Sequence, residues 1–162
     1  MDAFKIPKDR ALVTLCLPPV APSERYLFLS ALAESHRGQE TVSDLLLNPR
    51  RFVPVLDDEG RTSLVRKSAI RWVRVAEPET AEWLFFEARE AAPVVGAEVE
   101  FEDGSRLSGN LWAIAPPGEQ RVSDLVNRQE RWLHLETGDG LYLINLEHVR
   151  LVHASEGNHA RP

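Results

Sequence analysis

Cysteine is nearly absent, with Cys16 the single one among 162 residues. An internal disulfide is therefore excluded, and the composition suits a reducing cytoplasm. Cys16 has no His or basic residue close by in sequence to make it a reactive thiolate, so it reads as a small apolar strand residue. Long apolar runs are also missing. No stretch reaches the roughly 18 apolar residues of a membrane helix, and the opening MDAFKIPKDR lacks the basic-then-apolar layout of a secretory signal. Lysine is scarce, since 16 of the 19 basic residues are Arg. That bias reads as a GC-rich genome rather than a bed of phosphate-binding arginines.

Signatures of chemistry are lacking too. No G-x-S-x-G, H-E-x-x-H or phosphate-loop pattern occurs. His36, His134, His148, His153 and His159 have no zinc-ligand spacing, even if His134 and His148 approach each other on adjacent strands. Glu98, Glu100 and Glu102 alternate along one segment and mark a wet strand face rather than a paired acid and base. The expectation is a protein with no catalytic residue, no metal and no cofactor.

What is present is a duplication. Val42-Ser43-Asp44-Leu45 recurs 80 positions later as Val122-Ser123-Asp124-Leu125. At that displacement Gly38 matches Gly118, Leu27 matches Leu107, and Phe52-Val53 matches Trp132-Leu133. One residue is then lost in a turn, and a displacement of 79 pairs Leu64 with Leu143, Ile70 with Val149, Arg71 with Arg150 and Val73 with Val152. An ordered series of matches with one gap marks an internal repeat. The copies differ in charge. Residues 1–75 hold 12 basic and 9 acidic residues, net +3, whereas the remainder holds 7 and 16, net −9.

Each copy reads as short strands. Ala97–Glu102 alternates apolar and acidic residues, the period of a half-buried strand, and Asp103-Gly104 is a hairpin turn. Leu107–Ile114, Arg131–Glu136, Leu141–Leu146 and His148–Val152 follow, punctuated by Pro116-Pro117-Gly118 and Gly138-Asp139-Gly140. The first copy repeats the plan, with a longer Pro18-to-Pro22 connection in place of its first tight turn. Ser43 and Ser123 read as N-caps of one helical turn each, or else as part of a Ser-Asp chemical element; the absence of a companion base favours the cap. Glu77–Ala92 reads as a linker helix opened by Pro78, with an extra strand as the rival. The domain plan is thus residues 1–76 as a first β repeat, 77–93 as linker, 94–152 as a second repeat and 153–162 as a flexible tail.

The second copy carries Phe101-Glu-Asp-Gly104-Ser-Arg-Leu-Ser-Gly109-Asn-Leu111, a turn Gly followed five residues later by a strand-bending Gly. This resembles the first motif of the Sm-like small β-barrels, and Leu141 to Val149 resembles their closing hairpin. The resemblance implies a mainly β fold: two tandem five-stranded Sm-like or SH3-like barrels, or one fused pseudo-twofold β domain. RNA-binding members carry pocket residues where this chain has Ala115-Pro116-Pro117-Gly118-Glu119-Gln120, and only Asn145 falls near a family binding position. A turn or ladder role is expected for Asn145.

Two functional readings follow. The first is a non-catalytic protein-binding or scaffold module, in which the basic strand Ser63–Val75, with Arg66, Lys67, Arg71, Trp72 and Arg74, meets the acidic strand carrying Glu98, Glu100 and Glu102. That contact between unlike repeats forms within one chain or between copies, making a homo-oligomer. The alternative is single-stranded nucleic acid on the same basic stripe, extended by Arg50, Arg51 and Arg61. An acidic whole, with pI about 5.4, weighs against it.

Overall fold

The computed structural model describes residues 8–30, 39–76, 92–129 and 131–155. The first half contributes β1 (Lys8–Cys16), β2 (Ser23–Ser30), α1 (Val42–Leu47), β3 (Phe52–Leu56), β4 (Thr62–Arg66) and β5 (Trp72–Val75). The second contributes β6 (Val94–Phe101), β7 (Arg106–Trp112), α2 (Val122–Arg128), β8 (Trp132–Thr137), β9 (Gly140–Asn145) and β10 (Val149–Ala154). All ten strands join in one antiparallel sheet of order β10-β6-β7-β8-β9-β5-β1-β2-β3-β4.

Among the described residues the fold is mainly β, with two short helices. It is neither a pair of separate closed barrels nor a twofold arrangement. In each half the order is fifth, first, second, third, fourth, and the halves meet where the fourth strand of the second, β9, pairs with the fifth of the first, β5. A twofold relation would require β10 to pair with β4 in the same way, and these two strands instead end the sheet. The junction therefore joins unlike edges.

Local chemistry explains the matching elements. Each helix begins at the matched Val, two residues earlier than a Ser cap would place it. Thr41 is the true cap of α1: its hydroxyl accepts the Asp44 N–H, and the Asp44 carboxylate accepts the Thr41 N–H, so two orphan donors are satisfied reciprocally. Ser43 is an interior helix residue. At α2 the preceding residue is Arg121, which has no acceptor to offer; Asp124 instead accepts from the Arg121 N–H and Nε. Both halves then share a hydrogen bond that closes the β3–β4 or β8–β9 hairpin. The Lys67 N–H donates to the Arg51 carbonyl, and the Leu146 N–H donates to the Arg131 carbonyl. A single 3₁₀ turn follows in each, Lys67–Ala69 and Leu146–His148.

The strand register corrects one sequence match. Ala11 lies opposite Leu27, and Val95 lies opposite Leu111, so within the first hairpins Leu27 corresponds to Leu111 rather than to Leu107. Leu27 and Leu111 are both buried, whereas Leu107 is half-buried. The two hairpins also span equal lengths, because Leu15 faces Ser23 and Val99 faces Leu107. The connection outside the ladder is nonetheless longer in the first hairpin, residues 17–22 against 102–105, because the prolines at 18, 19 and 22 deny it ladder donors and its pairing stops earlier.

Two apolar cores result. One gathers Ala97, Val99, Phe101, Leu111, Leu125, Leu133, Leu135, Tyr142 and Ile144, all from the second half. The other combines Val13, Leu27, Val42, Leu46 and Val73 of the first half with Trp112, Trp132, Leu141 and Leu143 of the second. The proposed linker helix lies, apart from Ala92, outside the described residues, as do Gly38, His36 and His159. Strand β10 runs two residues past the expected tail boundary, with His153 opposite Glu98 and Ala154 opposite Ala97. Among the described residues no helix is long and apolar enough to cross a membrane.

Candidate functional site

The seam between the halves shows what a fifth strand and its neighbouring helix do when they are covered. Trp72, Val73, Arg74 and Val75 of β5 lie opposite Ile144, Leu143, Tyr142 and Leu141 of β9. Leu141 and Leu143 belong to the same buried apolar cluster as Val42 and Leu46 of α1. Asn145 locks one end: its Nδ2 donates to the Ile70 carbonyl at 2.9 Å and its backbone N–H donates to the Arg71 carbonyl at 2.9 Å. It is a fully buried ladder residue. His148 Nε2 lies 2.7 Å from the Ser68 carbonyl, and the Arg71 guanidinium pairs with Asp103 at 3.0 Å. Two hydrogen bonds from Ser105, with Arg71 adding its charge, hold Asp103 down at about 2.

The corresponding place in the second half is open. Between α2 and β10 runs a groove of about 810 Å³, floored by Val122, Val126, Val149, Leu151 and Val152. Among the described residues the outer edge of β10 pairs with no strand. An uncovered row of strand N–H and C=O groups beside an apolar trough is the geometry that accepts an added strand. Val42, Ser43 and Leu46 are buried, while their counterparts Val122 and Val126 are half-buried and Ser123 is exposed. Among the described residues the groove has no covering strand, whereas β5 in the equivalent place pairs with β9.

The residues singled out from sequence are placed differently. Arg66 is exposed, its guanidinium 5.1 Å from the centre of the Phe52 ring. Lys67 is buried, donating to the Asn48 carbonyl and Oδ1, and burial, with Arg131 and Arg50 nearby, lowers it to about 8. Arg71 is spent on Asp103 and stacks 5.4 Å from Phe101. Trp72 is half-buried against the Tyr142 ring edge, and Arg74 donates to the Thr14 hydroxyl. The basic stripe is thus dispersed into structural contacts.

The acidic strand is likewise not a uniform wet face. Glu98 is half-buried and Glu102 exposed, but Glu100 is only 4 % exposed. Its carboxylate bonds to Arg150 of β10 and to Arg106 of β7, which hold it below the usual carboxylate range. Strand β6 lies between β10 and β7, so Glu100, flanked by an arginine from each, is covered from both sides. The basic and acidic segments do not pair as strands, because β6 lies between β10 and β7; among the described residues Arg71 reaches across, to Asp103 and to the Phe101 ring.

A second cleft of about 500 Å³ is lined by Cys16, Pro18, Pro22, Arg71, Phe101 and Asp103. Burial raises the Cys16 thiol, which makes it a poor nucleophile. Among the described residues no three His, Cys, Asp or Glu side chains are grouped to hold a metal ion. No family model, no curated protein and no solved structure matches the chain.

Sequence reasoning missed the groove residues Val122, Val126 and Val152. They match the buried Val42, Leu46 and Val73 in type, so their pattern alone reads as core. Only the sheet order separates them.

Proposed function

We propose that the chain is a non-catalytic protein-binding module, a duplicated small β unit of the Sm-like kind, that takes an extended segment of a partner into the α2–β10 groove. The observation that carries this reading is the unequal state of two equivalent sites: β5 is paired by β9, whereas among the described residues β10 has no strand on its outer edge and a groove lies beside it. Backbone hydrogen bonds to β10 supply affinity, and alternate side chains entering the trough supply selectivity. No cofactor is needed for that task.

Dispersal of Lys67, Arg71 and Arg74 into internal contacts supports protein over nucleic acid as the ligand. Peptides selected against the whole chain from a random display library test the reading. They should share apolar residues at every second position and lose affinity by more than about tenfold on Val126→Glu. Selected peptides with no such period, or indifferent to that change, would overturn it.

A further inference from the structure

The register that aligns the two halves also compares their interiors, position by position. Leu15 corresponds to Val99 and Ser23 to Leu107 in the first hairpins, while Val55 corresponds to Leu135, Ser63 to Tyr142 and Val65 to Ile144 in the second. Two residues beyond Leu15 stands Leu17, where the second half has Phe101. In the second half this end of the core is solid: Phe101, Leu135, Tyr142 and Ile144 are each no more than 5 % exposed and belong to one apolar cluster. In the first half five of these six positions carry a smaller side chain. Phenylalanine is replaced by leucine, tyrosine and one leucine by serine, and the other leucine and the isoleucine by valine. Only Leu15 exceeds its counterpart, by one methylene.

The space left is a cavity of about 230 Å³, walled by Leu15, Leu17, Val55 and Val65 and by Val20 of the β1–β2 connection. A dry apolar cavity of about 150 Å³ accepts a benzene ring, so this one holds a single ring with a small substituent. The mouth differs in chemistry as well. Gly109, where a Cβ would strike the Glu136 carbonyl, has Arg25 as its counterpart, and Thr137 has Asp57. Asp57 is engaged, since its carboxylate accepts from the Glu59 and Arg61 N–H groups and from Arg61 Nε. Arg25 gives Nη1 to the Glu24 carbonyl, and its guanidinium has further donors to offer beside the hydroxyls of Ser23 and Ser63.

We propose that this cavity is a binding site for a single phenol ring, the group that the second half supplies from its own chain as Tyr142. The ring lies against the four aliphatic walls, and its hydroxyl meets Arg25 and Ser63 at the mouth. One cation and one anion flank that mouth, which suits a neutral hydroxyl better than a carboxylate or an amine. The site shares no residue with the α2–β10 groove, so neither reading depends on the other.

Titration of the full chain with p-cresol, the side chain of tyrosine as a free molecule, tests the proposal by methyl NMR. Saturable shifts should centre on Leu15, Leu17, Val55 and Val65, with a Kd of about 1 mM or below. Ser63→Tyr combined with Leu17→Phe returns the missing rings; it should abolish those shifts and raise the urea midpoint as the void fills. Val55→Leu perturbs the fold least and should weaken p-cresol by about tenfold, the worth of one methylene in an apolar pocket. Shifts that are absent, that never saturate, or that centre on Val126 and Val152 would overturn the proposal. Variants that bind p-cresol as the wild type does would overturn it equally. N-acetyltyrosinamide, titrated in parallel, separates the sources of the ring. Binding as tight as that of p-cresol supports a tyrosine side chain of a partner, and weaker binding supports a free phenol.

Discussion

The helix α1 and the strand β5 form a filled pocket, whereas α2 and β10, built on the same pattern, form an open one. Residue identity does not make the difference. Val42 and Val122 are the same amino acid, and Leu46 and Val126 differ by a methylene; the first pair member is sealed and the second is not. What covers β5 beside α1 is a strand that begins 65 residues further along the chain. Burial here is a property of connection order, and a sequence pattern that reports an apolar face does not report whether that face has a lid.

Substitutions at matched positions should expose that asymmetry. Trp132→Ala removes a fully buried ring from the seam and should cost about 3–5 kcal/mol in denaturant unfolding. Phe52→Ala, at the matched but exposed position, should cost less than about 1 kcal/mol in dilute solution. Equal costs would mean that the two edges are not in different states.

Acid should act on the covered hairpin next. Burial lowers His134 from 6.5 to about 4, and its ring nitrogens are shielded from solvent. Its matched residue is Pro54, which does not titrate. The unfolded chain takes up the proton first as pH falls, so stability is intact above pH about 6.5 and declines until about 4. The loss is on the order of 3 kcal/mol. Urea midpoints across that window should slope for the wild type and flatten for His134→Gln.

The turn that delivers β9 offers a third comparison. Gly140 has φ +133°, and a Cβ there would lie 2.5 Å from the Val75 carbonyl oxygen across the seam. Gly140→Ala should cost about 2 kcal/mol from strain and the forced separation of β5 and β9. Its counterpart Arg61 is exposed and pairs with Asp57 and Glu59; Arg61→Ala should change stability by less than about 0.5 kcal/mol. Thermal unfolding of the pair reads both. The smallest contrast is at the caps. Thr41→Ala breaks a reciprocal cap and should cost about 1 kcal/mol, while Arg121→Ala should cost less than about 0.5 kcal/mol.

Much of the fold was legible in the residues. The matched Val-Ser-Asp-Leu segments are both short helices, the Gly104 and Gly140 turns are real, and the β3–β4 and β8–β9 hairpins align as their apolar positions imply. Asn145 also keeps the ladder role its surroundings suggest. The misreadings share a cause. Lys67 is drawn inward by the Asn48 carbonyl, and Glu100 by two arginines on separate strands, so long-range partners override a local polar pattern. The groove was invisible because its residues have core identities. The junction was invisible because strands distant in sequence make it, and nothing local distinguishes an edge that will be covered from one that will not.

The seam also sets a clock during synthesis. Strand β5 is complete long before β9 exists, with the 65 residues from Ala76 to Gly140 still to be made. At about 5–20 residues per second that interval is about 3–13 s. Throughout it the α1 pocket stands as open as the α2 groove does in the finished molecule. A newly made first half is then a receptor waiting for a strand, and a neighbouring nascent chain can supply the wrong one. The arrangement rewards short intervals between the halves, so slow translation through the intervening segment should raise the yield of exchanged, intertwined chains.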